Sequence, residues 1–156
     1  MTDKLPFTTD HPAICFDLEA TGLDPTSARI IQIEGLKMNE DGRPIERVDK
    51  LINPERHIPF HVTQLTGITQ ADVQNAHTFA EIAGEVEMFF SGCHLFGADS
   101  KALKLPLLEV ELARAGLSLP KDPSCVHIDI FGEGDIIENL PRHIRQGCER
   151  IGLIEG

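Results

Sequence analysis

Ala13-Ile14-Cys15-Phe16-Asp17-Leu18-Glu19-Ala20-Thr21-Gly22-Leu23 is the stretch whose reading decides the fold. Ala13–Leu18 has strand character and runs into a Thr-Gly turn. Successive side chains on a strand point to opposite faces. Cys15, Asp17 and Glu19 therefore share one face, and Ile14, Phe16 and Leu18 the other. Two carboxylates side by side at a strand end repel each other unless a positive charge joins them. A divalent cation is the common solution, because Mg²⁺ takes one or two carboxylates and completes its shell with water and phosphate oxygens. The plainer alternative is an Asp and a Glu that fray into solvent.

Working outward, Arg29–Lys37 reads as a second strand. Asn39-Glu40-Asp41-Gly42 supplies turn chemistry for a hairpin into Ile45–Ile52, and Asn53-Pro54 ends the run. Three strands joined by short loops predict an antiparallel meander. Thr69-x-x-Asp72 and Thr78-x-x-Glu81 then look like capping boxes. Phe79, Ile82, Ala83, Val86, Phe89 and Phe90 recur at helical spacing before Ser91-Gly92. A short buried strand, His94–Ala98, is followed by an amphipathic helix over Leu103–Ala115. Strand Val126–Asp129 comes next, and then a helix over Pro141–Ile151, capped by Asn139. The order βββ-α-β-α-β-α predicts an α/β protein with a mixed five-stranded sheet between helices.

The chain has 156 residues and a formal net charge of −11, with eight Phe and neither Trp nor Tyr. That length suits one domain, read as residues 12–156 behind a flexible arm over residues 1–11. The charge argues against affinity from a broad basic surface. It leaves room for a pocket that grips one or two nucleotides, or for a subunit that relies on a partner. Cysteines at 15, 93, 125 and 148 show neither Cys-x-x-Cys spacing nor a zinc pattern with His. Cys15 and Cys148 read as buried thiols, which suits a reducing cytoplasm. No apolar run reaches the length of a membrane helix.

The block Phe16-Asp17-Leu18-Glu19-Ala20-Thr21-Gly22-Leu23 resembles the first motif of the DEDD-type 3′–5′ exonucleases, a superfamily that includes polymerase proofreading subunits, ribonuclease T and oligoribonuclease. The resemblance implies a ribonuclease H-like three-layer α/β/α fold. Its implied chemistry is hydrolysis of 3′-terminal phosphodiester bonds in DNA or RNA with two Mg²⁺ or Mn²⁺ ions. It makes Asp17 and Glu19 the catalytic metal ligands, and Ala20, Thr21, Gly22 and Leu23 the residues that meet the terminal nucleotide. Thr63-Gln64-Leu65-Thr66-Gly67-Ile68 also looks like a family stretch beside the site. The implied partners are a single-stranded 3′ end and a protein such as a polymerase or a second copy.

The later motifs depart from the family. Aligned on Leu105-Pro106-Leu107-Leu108, Lys104 stands where the family carries its third acid. Three readings of Lys104 stay open: a surface Lys at a lost metal site, an ammonium that salt-bridges Asp17 or Glu19 in the metal's place, or a bystander while Asp99 serves as the ligand. The third motif, His-x-Ala-x-x-Asp, is absent: of the seven His only His94 has an Asp five residues on, Asp99, and Phe96 stands at its Ala position. In the family it follows the last helix, about where Gly156 falls, so its absence reads as a missing C-terminal end. Asp129 matches a structural family Asp, and His57 and His61 read as loop residues. The rival to an enzyme is a catalytically degenerate domain that binds protein or a nucleic-acid end.

Overall fold

In the computed structural model, which describes residues 10–98, 103–130 and 140–154, the stretch quoted above forms strand β1, Ala13–Ala20. It extends two residues beyond the expected end, so Glu19 sits within the strand. The meander follows as β2, Ile30–Met38, and β3, Pro44–Leu51. Both pairings are antiparallel, with Asp17 opposite Glu34 and Glu19 opposite Gln32. Strands β4, His94–Gly97, and β5, His127–Asp129, add in parallel, giving the sheet order β3-β2-β1-β4-β5. This is the mixed five-stranded sheet that the element order predicts.

Helices α1, Phe60–Thr66, and α2, Gln70–Val73, precede α3, Phe79–Phe90. Helix α1 places His61 on a helix, whereas its sequence reads as loop. The isolated Pro59-Phe60 pair hides the start, and a left-handed Gly67 (φ 76°) closes it. Both expected capping boxes form, Thr69 with Asp72 and Thr78 with Glu81. All six apolar residues predicted on the α3 stripe are buried. Burying each of the five larger ones, Phe79, Ile82, Val86, Phe89 and Phe90, contributes roughly 1.5–3 kcal/mol. Helices α4, Leu105–Arg114, and α5, Arg142–Arg150, complete the described elements. The expected cap at Asn139 and residues 1–9 of the arm expected over residues 1–11 lie outside the described residues.

The period-2 pattern of β1 decides the packing. Ile14, Phe16 and Leu18 join α3 and α4 residues, including Phe89, Phe90, Leu107 and Leu108, in one apolar cluster. Ala13 and Cys15 join Leu36, Met38, Ile144 and Cys148 in a second cluster, on the side that α5 covers. The Cys15 and Cys148 sulfurs lie 3.2 Å apart as buried free thiols. Gly35 admits α3 to the sheet, since a Cβ there would meet Phe89 Cε2 at 2.9 Å.

Candidate active site

Asp17 and Glu19 sit near the C-terminal end of β1, beside the start of α4. The Lys104 ammonium, at the N-cap position of α4, lies 2.5 Å from Asp17 Oδ1. The side chains are 14% and 29% exposed, so the ion pair is largely withdrawn from water. The ion pair named in the second reading of Lys104 is present, while Asp99, on which the third rests, lies outside the described residues. The same Asp17 oxygen accepts the Leu18 backbone N–H at 2.9 Å.

The pair carries the electrostatic conflict that its sequence implies. Burial, and then the Asp17 charge, push the Glu19 carboxyl above its ordinary value, while Lys104 pulls it back. Across the sheet, the Glu34 carboxyl is also raised, by burial first and then by Asp49. Arg47, 3.6 Å from Glu34, opposes that rise.

Thr21 is drawn into the protein rather than presented on the surface. It is buried, its hydroxyl accepts the Arg29 N–H, and its own N–H donates to the Arg29 carbonyl, both at 2.9 Å. These two bonds close the loop between β1 and β2. Gly22 meets nothing nearer than Ala28 Cβ at 4.0 Å, and Leu23 is 84% exposed. Glu19, Ala20, Gly22, Leu23, His61 and Lys104 line a cleft of about 220 Å³, with Leu65 beside them. Leu23 and Leu65, each 84% exposed, stand at it as two unpartnered apolar side chains. Asp99 lies outside the described residues. Asp129 ends β5, which pairs with β4 and not with β1.

A charged anchor behind the site escapes the sequence reading. Glu111 on α4 is 1% exposed and accepts Arg29 Nε at 3.0 Å, Arg114 Nη1 at 2.8 Å and the Ile30 N–H at 3.1 Å. It ties α4 to the beginning of β2, and through Arg29 to the Thr21 loop. One signal was available: Glu111 falls on the Leu107, Leu108, Leu112 stripe, where a carboxylate stays only if it is fully bonded.

The donors among the described residues do not by themselves make a two-metal centre. Among the described residues, no third His, Cys, Asp or Glu joins Asp17 and Glu19 closely enough to hold an ion, and the nearest charge to Asp17 is a cation. An ammonium donates hydrogen bonds and repels a metal.

The exonuclease family model of RNase T type matches residues 14–153. The chain is 37% identical over 108 residues to the 3′-5′ exonuclease DinG of Bacillus subtilis, a match that covers 69% of this chain and 11% of that protein. It is 33% identical over 110 residues to the PolC-type DNA polymerase III of Lactococcus lactis, covering 70% and 7%. Escherichia coli exonuclease I, solved with a dT13 oligonucleotide, superposes with a TM-score of 0.69 at 15% identity, over 77% of this chain and 28% of that one. The fold is therefore that of exonuclease I, and the chain spans a small part of each relative.

Proposed function

We propose a function for this chain from one premise: it belongs to the exonuclease family. The chain acts as an exonuclease-type domain that holds the 3′ end of a single-stranded nucleic acid without cleaving it. Lys104 supplies the positive charge that Mg²⁺ or Mn²⁺ supplies in metal-dependent nucleases. One observation carries this reading, the Lys104–Asp17 ion pair at 2.5 Å.

The chemistry follows from that pair. In the metal-dependent reaction, ions lower the pKa of the attacking water and spread the charge that builds on phosphate. An ammonium cannot generate hydroxide in that way. It can still donate to a phosphate oxygen, since only some of its three N–H groups face Asp17. Leu23 and Leu65 offer apolar faces to a terminal base, and Ala20 and Gly22 line the cleft alongside. A net charge of −11 limits any grip on the rest of the strand, so affinity rests on the terminal nucleotide. The single-stranded oligonucleotide on exonuclease I supports the ligand class. The PolC relatives suggest a polymerase as the partner that holds the remaining strand.

Fluorescence anisotropy on single strands in EDTA tests the binding half. A strand with a free 3′ end should bind, one blocked by a 3′ phosphate should bind at least tenfold less tightly, and Lys104→Met should lose affinity. Incubation of a 3′-labelled strand with Mn²⁺ tests the other half. Release of labelled mononucleotide that vanishes in Asp17→Ala would overturn the proposal in favour of a working nuclease.

A further inference from the structure

We infer that the opposite end of the sheet holds a zinc site, in which His11, Asp122 and Cys125 bind one Zn²⁺ ion. Strands β1, β4 and β5 run parallel, so the residues that precede them gather at one end. His11 precedes β1, and Asp122 and Cys125 precede β5. Asp17 lies six residues beyond His11 along β1, about 20 Å away. The site is thus remote from the nuclease-like cleft.

The donors converge from parts of the chain more than a hundred residues apart. One imidazole nitrogen, one carboxylate oxygen and one sulfur all lie within 4.8 Å of one another. Tetrahedral Zn²⁺ with bonds of 2.0–2.3 Å needs donors about 3.3–3.8 Å apart, a contraction of no more than about 1.5 Å. A mixed N, O and S set selects Zn²⁺ over Mg²⁺ or Ca²⁺, which take oxygen. Asp10 Oδ1, 3.9 Å from His11 Nε2, is a fourth donor within reach.

The donors are also held in place. Ser124 Oγ bonds His11 Nε2 at 2.7 Å and donates to Asp122 Oδ1, so imidazole and carboxylate point at one hydroxyl. That hydroxyl is the group an incoming ion displaces. The Asp122 carboxylate also accepts the Ser124 N–H at 2.9 Å, which fixes its loop, and the Cys125 N–H bonds the Asp122 carbonyl at 3.0 Å. The His11 ring meets the buried His94 ring edge-on, with centroids 5.4 Å apart, and His94 Nδ1 takes the Val126 N–H at 3.1 Å. An ion here clips the segment before β1 to the loop before β5, across the start of β4.

Cobalt is the probe, because a thiolate bound to Co²⁺ gives a charge-transfer band and Zn²⁺ then displaces it. Co²⁺ should bind with one equivalent per chain, and Zn²⁺ should abolish the band. Cys125→Ser should remove the band entirely, and His11→Ala should weaken Zn²⁺ at least tenfold. Cys93→Ser and Asp17→Asn should leave both signals unchanged. Zn²⁺ should raise the melting temperature of the parent chain and not that of His11→Ala. A band that survives in Cys125→Ser, or is lost in Cys93→Ser, would overturn the assignment, as would no band at all. Circular dichroism confirms that each variant is folded.

Discussion

Lys104→Met is the sharpest perturbation of the Asp17 site, because it removes a charge while keeping most of the side chain's bulk. Two unit charges about 4 Å apart interact by about 4 kcal/mol at an effective dielectric of about 20, so an ammonium and a divalent ion at that separation repel by about 8 kcal/mol. Asp17 and Lys104 are 29% and 14% exposed, so water screens part of this. A fourfold discount leaves about 2 kcal/mol, or roughly a thirtyfold gain in Mg²⁺ affinity. Losing the ion pair also frees the Asp17 oxygen for the metal, which acts in the same direction. Calorimetric titration with MgCl₂ or MnCl₂ reads the difference directly. The parent chain should bind weakly, Lys104→Met more tightly, and Lys104→Asp more tightly still. Equal Mg²⁺ affinity in the parent chain and Lys104→Met would refute the idea that the ammonium stands in for a metal.

Three further outcomes follow from the packing and charges. Glu111→Ala should destabilise the fold by about 3–5 kcal/mol in urea unfolding, because it leaves the Ile30 N–H unpaired and takes from the Arg29 guanidinium its shortest ion pair. Gly35→Ala should cost about 1–3 kcal/mol by the same measurement, since its methyl would sit 2.9 Å from the Phe89 ring. The Glu19 carboxyl titrates above its ordinary 4.5, because of burial and then Asp17. From 4.5 up to its raised value the folded state therefore holds more protons than the unfolded chain, and stability falls as pH rises through that window. Glu19→Gln should flatten that fall and raise stability at neutral pH, as read from unfolding midpoints across the pH range.

Local periodicity and turn chemistry made most of the fold legible. The alternation in Ala13–Leu18, the Asn39–Gly42 turn, the two capping boxes and the α3 stripe are short-range signals, and each forms as the residues dictate. The same logic placed Asp17 and Glu19 together, because residues two apart on a strand must share a face. Helix α1 stayed hidden because its seven residues carry one buried side chain, Val62, too few to make a stripe.

What the sequence determined by itself is the family, the order of the elements and the unresolved repulsion between two carboxylates. Only the tertiary structure decided what answers that repulsion. Lys104 lies 87 residues after Asp17, and no spacing rule says that the parallel pairing of β1 with β4 will swing the start of α4 over the carboxylate. Glu111 with Arg29 and Ile30, and His11 with Asp122 and Cys125, arise in the same way. Charge–charge and donor–metal energies depend on separation in space, and in a mixed sheet the chain fixes that separation only when distant strands pair.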